Sequence, residues 1–288
     1  MLLFIALFPV VALVLFVYMI DKYQHEPWLQ LLRAVAAGAL SAILVLFVLN
    51  YLAITFEDSP LGALGDAFFN AAIPEEALKL LMLWVVLRSN RYYDEYFDGI
   101  VYAACVSLGF AGFENILYVM GSEDGMSVGV SRAITAVPAH FMFGVAMGYY
   151  YSLVHFRFHP DERTGMIHKV CVLAVPVLFH GIYDAALMVM DTFFGVNYLF
   201  AAVCFIAFIV ACIYMTIFTF RKCKHLLSID QAFLDYQRQR QAEQQRIEQQ
   251  QAEEYQWQRQ WEQIRQQWLR QHGWEQQPDA DVIENTQD

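Results

Sequence analysis

The sequence predicts an all-α fold: a polytopic membrane helix bundle of about seven transmembrane helices followed by a polar tail. Three observations predict it. Hydrophobic residues make up 58% of the 288 positions, yet they are spread unevenly. Residues 1–219 fall into successive apolar stretches of about 20 residues, the length that crosses roughly 30 Å of hydrocarbon. Residues 220–288 are rich in Gln, Glu and Arg and contain no such stretch. The chain therefore divides into a transmembrane domain, 1–220, and a tail, 221–288, expected to be cytoplasmic and partly helical or disordered. The formal charge of −11 averages over both parts and describes neither, and nothing points to nucleic acid as a partner.

Helices are expected near 2–20, 29–56, 61–88, 98–119, 131–154, 167–190 and 196–219. Several exceed the minimum length and should tilt or protrude from the lipid. The first lacks a basic leader and a small-x-small cleavage site, so it reads as a retained helix and not a cleaved signal. Charge then alternates between the connecting segments. Lys22 and Arg33, Arg88 and Arg91, Arg157, Arg163 and Lys169, and Arg221, Lys222 and Lys224 fall on one side. Glu57, Asp58, Glu123, Asp124 and Asp191 fall on the other, with Arg132 at its edge. Basic segments stay in the cytoplasm, so the N-terminus is expected outside and the C-terminus inside. The five cysteines show no metal spacing, and four lie in apolar spans, which argues against a disulfide framework.

The tail from Ser228 to His272 lacks proline and glycine. Ile229, Phe233 and Tyr236, then Trp257, Trp261, Ile264 and Trp268, fit one heptad register. Arg240, Glu243, Gln250 and Glu254 interrupt it, so only the ends could form a seam. A solvated helical tail is expected, with self-association or a cytoplasmic partner as its candidate roles.

Ionisable side chains inside a bilayer cost several kcal/mol unless paired or hydrated, so those in the apolar helices mark a functional site. The third helix carries Glu75 and Glu76, with Lys79 one turn on to neutralise one of them. The fourth carries Glu114 beyond Gly109 and Gly112, which permit close helix approach. The fifth carries His140 and Gly144. The sixth carries His180, with Asp184 one turn on to orient the imidazole or share a metal with it. At 1.5 Å per residue, Glu114, His140, His180 and Glu75 lie about 9, 13, 15 and 20 Å from the outer helix ends. Helices running in alternate directions thus bring these groups to similar levels in the outer half. Pro74, Pro138 and Pro176 each precede a site residue by one to four positions and can open the backbone beside it.

Glu114, His140 and His180 can hold a divalent metal, zinc being the ion expected, with a position left open for water. Glu75 or Glu76 would remove the water's proton, a set suited to peptide-bond hydrolysis within the membrane. A metal-free version needs only a glutamate-activated water, with the histidines as acid or oxyanion stabilisers. The same residues would also serve a proton-coupled transporter, although no internal repeat is present, or a non-catalytic scaffold that keeps them for packing. Two histidines could also ligate a b-type haem, which leaves the acids unexplained.

Four motifs, Glu75-Glu76-x-x-Lys79, Phe110-x-x-x-Glu114, His140-x-x-x-Gly144 and His180-x-x-x-Asp184, occur in order, each on its own helix. With Asp21 and Glu26-Pro27, they make residues 15–190 resemble the PrsW-like intramembrane proteases, distant relatives of type II CAAX prenyl endopeptidases. The resemblance implies a metal- or glutamate-dependent endopeptidase of the bacterial cytoplasmic membrane. It implies Glu75 and Glu76 as the essential pair, Glu114, His140 and His180 as the rest of the site, and Lys79 and Asp184 in support. It further implies a single-pass membrane substrate: first-site cleavage of an anti-sigma factor in stress signalling. The tail lies outside the resemblance.

Overall fold

The computed structural model describes residues 1–157, 163–193 and 197–274. The basic segment around Arg163 and the end of the tail beyond Trp274 lie partly or wholly outside the described residues. The chain forms two compact units, Met1–Gln231 and Ala232–Asp288.

The first unit is built from α1 (Leu2–Ile20), α2 (Trp28–Leu52), α3 (Pro60–Gly65), α4 (Ile73–Leu87), α5 (Asp98–Gly121), α6 (Gly125–Ile134), α7 (Ala136–Ser152) and α8 (Arg163–Phe193), with the first part of α9 (Tyr198–Gln271). No strand occurs among the described residues. Six of these stretches are long and apolar enough to cross a membrane: α1, α2, α5, the α6–α7 stretch Gly125–Arg157, Thr164–Phe193 and α9. The protein is a multi-pass membrane protein.

The expected helix 61–88 is divided into α3, a π-helical stretch Asp66–Ala72, and α4. Pro74 has no amide hydrogen to donate to the carbonyl four residues back, and its ring crowds that carbonyl. The backbone widens just before Glu75 and Glu76. Pro138 acts likewise: it cannot donate to Ile134, and the expected helix 131–154 breaks at Thr135 into α6 and α7.

Buried almost throughout, α5 is the axis of the unit, with α1, α2 and α7 packed around it. The α2–α5 crossing depends on glycine. A Cβ on Gly38 would lie 1.8 Å from the Val106 carbonyl oxygen, and one on Gly109 would lie 2.0 Å from that of Val35. Gly112 differs, because a Cβ there would meet only side chains, Val10 at 3.4 Å and Leu7 at 3.7 Å, both ordinary contacts. The outer surface is apolar: Phe4, Phe8, Phe47, Phe205, Ile206 and Val210 are all more than half exposed, as expected of side chains facing lipid. Within residues 198–231, Phe208, Met215, Cys223, Leu226 and Asp230 form a buried stripe, so the first unit extends beyond the expected boundary at 220.

In the second unit, residues 232–271 are helical and almost wholly exposed. Trp257 and Trp261 stack at 6.0 Å between ring centroids.

Candidate active site

The chain alternates direction, so four helices, α4, α5, α7 and α8, bring the site residues together near the end of the bundle that carries Met1. Asn115 of α5 donates to the Ala6 carbonyl of α1 at 2.7 Å, which marks this level. α4 begins just after the π-helical stretch, which places Glu75 and Glu76 in its first turn and Lys79 one turn further, with all three buried. His140 on α7 and His180 on α8 complete a group of four. Ligand atoms of Glu75, Glu76, His140 and His180 all lie within 4.8 Å of one another.

Lys79 is the centre of charge. Its Nζ donates to Glu76 Oε1 at 2.7 Å, to His140 Nδ1 at 3.0 Å and to Glu75 Oε2 at 3.5 Å. It also stands 4.0 Å above the Phe110 ring. Since an ammonium only donates, His140 Nδ1 accepts. His140 Nε2 then carries the proton and donates to Glu114 Oε2 at 3.0 Å. His180 lies between acids on both ring nitrogens. Nδ1 meets Glu76 Oε1 at 2.9 Å and Nε2 meets Asp184 Oδ2 at 3.1 Å, with Glu75 Oε2 at 3.8 Å. With those acids ionised, both nitrogens donate and the ring is an imidazolium. Phe143 stacks on this ring, with centroids 4.8 Å apart and planes 18° apart. Glu76 Oε2 is buried without a hydrogen-bond partner.

Glu75, Glu76, Lys79, His140, His180 and Asp184 are thus brought into one cluster. Glu114 stands outside the group of four and touches His140 on the ring nitrogen remote from Lys79. Its second partner is a residue that sequence reasoning left at a membrane edge. Arg132 of α6 donates from its terminal guanidine nitrogen to Glu114 Oε2 at 2.8 Å, and from Nε to Asn115 Oδ1 at 2.8 Å. The signal was present, because Arg132 was the one base on the acidic side of the charge pattern.

The formal charges near balance. Glu75, Glu76, Glu114 and Asp184 contribute four negative charges, against Lys79, Arg132 and the His180 imidazolium. A divalent ion taken up as His180 loses its proton would complete the balance, and metal uptake linked to proton release is the usual behaviour of histidine sites. Two imidazoles and two carboxylates, one with an unpartnered buried oxygen, fit such an ion.

One face of the cluster borders a cavity. About 400 Å³ in volume, it lies between α2, the π-helical stretch, α5 and Met188 of α8. Glu75 and Glu114 line it together with Val45, Leu49, Phe110 and Phe113. At its rim Leu46, Leu117 and Tyr118 are about half exposed on the lipid-facing surface.

Comparison with known proteins gives a consistent picture. The family described as PrsW family intramembrane metalloprotease matches residues 26–213. Protease PrsW of Bacillus subtilis (strain 168) is 33% identical over 183 residues, covering 64% of this chain and 81% of that protein. Protease PrsW of Oceanobacillus iheyensis is 35% identical over 185 residues, covering 64% and 82%. That of Clostridioides difficile (strain 630) is 29% identical over 188 residues, covering 64% and 78%. No solved structure matches.

Proposed function

This chain belongs to the PrsW family of intramembrane metalloproteases, and on that premise we propose that it cuts a single-pass membrane protein beside Glu75, in the leaflet nearer Met1. The carrying observation is the cavity. Glu75 and Glu114, with Asp66 and Asn70, are the polar part of the wall of a pocket otherwise lined by apolar and aromatic side chains, and its rim reaches the lipid-facing surface. A substrate segment approaching from the bilayer reaches the carboxylates there without crossing the core. With the basic segments assigned to the cytoplasm, that leaflet is the extracytoplasmic one of a bacterial cytoplasmic membrane. An anti-sigma factor losing its external domain is the substrate class the resemblance supports.

Glu75 faces the cavity, while Glu76 is fully buried behind it. Glu75 is therefore the general base: it takes a proton from the attacking water and returns it to the leaving nitrogen. Glu76, His140 and His180 would hold a zinc ion, which supplies Lewis acidity at the scissile carbonyl. Glu114 was expected as a ligand with the two histidines, but its position supports a different role. Held by Arg132, it fixes the His140 tautomer so that Nδ1 faces the group of four. Asp184 holds His180 in the same way.

One observation favours a metal-free variant: the Lys79 ammonium already sits among the same ligand atoms. In that variant Lys79 supplies the positive charge that steadies the tetrahedral oxyanion. Metal content of protein purified without chelator separates the two, since stoichiometric zinc that is lost in His180→Ala supports the metal reading.

The function itself is tested by comparing membrane proteomes of cells expressing wild type or a Glu75→Gln/Glu76→Gln double variant. A single-pass protein shortened near its outer boundary only with wild type identifies the substrate. Cleavage at an unchanged rate in the double variant would remove this site from the reaction.

A further inference from the structure

A second cavity, about 580 Å³ in volume, lies between α1, α7 and the first part of α9. It shares no lining residue with the cavity beside Glu75 and Glu114. From α9, Thr216, Thr219, Cys223, Leu227 and Gln231 line it, recurring every three or four residues along one face. That face is held in place at one end. Asp230 accepts from the backbone amides of Tyr96 and Phe97, each at 2.9 Å, and so ties α9 to the start of α5.

The lining is sorted by depth. Leu13, Phe16, Phe141 and Met142 close the cavity at mid-bundle, where the Phe16 and Phe141 rings meet edge to face at 6.2 Å. The polar residues gather at the end remote from Met1: Lys22 and Tyr23 just past α1, with Lys224, Ser228 and Gln231 on α9. From Thr216 to Gln231 the helix rises about 22 Å, half of the roughly 40–45 Å that a bilayer spans with its headgroups. The cavity therefore runs the depth of one leaflet. Lys22 and Lys224 are exposed, and among the described residues neither ammonium forms an ion pair. No acidic side chain lines the cavity.

Thr219 is a second, independent sign of a ligand. It lines the cavity and is 6% exposed, yet its hydroxyl is buried without a hydrogen-bond partner. The Thr216 hydroxyl, one turn earlier, donates to the Cys212 carbonyl at 2.8 Å. A buried hydroxyl left unpaired is costly to keep. A free anion would engage the two ammonium groups and leave both Thr219 and the apolar part of the cavity unused. A phospholipid uses all three. Its acyl chain suits the apolar end, and its phosphate suits the lysines. Its ester carbonyls lie on the chain side of the phosphate, as Thr219 lies on the apolar side of Lys224. Basic pockets between transmembrane helices at the cytoplasmic side commonly seat anionic headgroups, and the positive-inside rule assigns this end to the cytoplasm. We propose that this cavity binds one anionic phospholipid, with an acyl chain among Phe16, Phe141 and Met142 and the headgroup on Lys22 and Lys224.

The test titrates full-length, delipidated protein in detergent with phosphatidylglycerol or with phosphatidylcholine of the same chains, and native mass spectrometry counts the lipid bound. One phosphatidylglycerol per chain is expected, held at least about tenfold more tightly than phosphatidylcholine, as two lysines at the headgroup imply. Lys22→Gln/Lys224→Gln should abolish that preference. Both lysines are exposed and unpaired, so this variant should stay folded, which its elution as a single species checks. Thr219→Val should weaken both lipids alike, because the ester carbonyls are common to them. Arg33→Gln/Arg91→Gln, which alters a different basic cavity, should leave the preference intact. Equal binding of the two lipids overturns the proposal, and so does a preference that survives loss of both lysines or binding that Thr219→Val leaves unchanged. A preference lost equally in the arginine variant also overturns it and assigns the effect to surface charge in general. Displacement of the lipid by glycerol 3-phosphate, a headgroup without chains, overturns it in favour of a site for a free anion.

Discussion

Removing the Lys79 ammonium is the sharpest perturbation of the protease site. Lys79→Met keeps most of the side-chain length and the packing on Phe110 but deletes the charge. The Lys79 side chain is 1% exposed and that of Glu76 is 0% exposed, 2.7 Å away, so no water can replace the lost partner. Breaking a buried pair from one side costs about 3–5 kcal/mol, because the remaining charge stays desolvated. Glu76 keeps His180 as a partner, so the expected loss is at the lower end, about 3 kcal/mol. Cys105, fully buried on α5, provides the readout: its labelling by a maleimide during titration with SDS reports unfolding of the bundle core. The double variant Lys79→Met/Glu76→Gln should recover at least about 1 kcal/mol, within the coupling range of contacting residues. Added zinc should stabilise Lys79→Met more than wild type, because the ion no longer competes with the ammonium. A loss below about 1 kcal/mol, or strict additivity in the double variant, would refute the view that Lys79 balances the charge of this cluster.

Three further outcomes are expected. Arg132→Gln should lower cleavage about 10–100-fold while the protein stays folded, since Arg132 acts on His140 only through Glu114; unchanged cleavage would show that Glu114 needs no such anchor. Gly109→Ala should destabilise the bundle by about 1–3 kcal/mol, because its Cβ would sit 2.0 Å from a backbone oxygen, whereas Gly112→Ala should be nearly neutral. SDS titration of both variants compares them directly. The third concerns pH. Asp21, Glu26 and Glu95 are raised from 3.8, 4.5 and 4.5 to about 6, 7 and 7, so the native state holds protons that the unfolded chain releases. Stability should therefore be greatest near pH 4 and fall as pH rises through 6–7. Melting curves of wild type should show this slope, and Glu26→Gln should flatten it.

Much of this protein is legible in its sequence. Apolar stretches of membrane-spanning length produce the helices, because an apolar side chain in lipid needs no particular neighbour. The spaced motifs single out Glu75, Glu76, Lys79, Glu114, His140, His180 and Asp184, because a charged group in a bilayer stands out against composition alone. The two breaks are only partly legible: Pro74 and Pro138 lie beside them, whereas Pro9 and Pro176 also lack an amide donor yet sit inside the unbroken α1 and α8, so the expected opening beside His180 does not occur.

The tertiary structure decided which of these groups touch. Spacing along α4 left open whether Glu75 or Glu76 is the partner of Lys79. The distances of 3.5 and 2.7 Å select Glu76 and leave Glu75 facing the cavity. Likewise, Gly109 and Gly112 look equivalent along the helix, yet only Gly109 meets another backbone. Arg132 and Glu114 lie eighteen positions apart on different helices, and Asp230 and Phe97 are farther apart still. Such pairs depend on the rotation and crossing of whole helices, which are set by the packing of every residue between them and by no local pattern. Helix formation is a short-range property of the chain, whereas the charge balance of a site exists only once distant helices have closed around it.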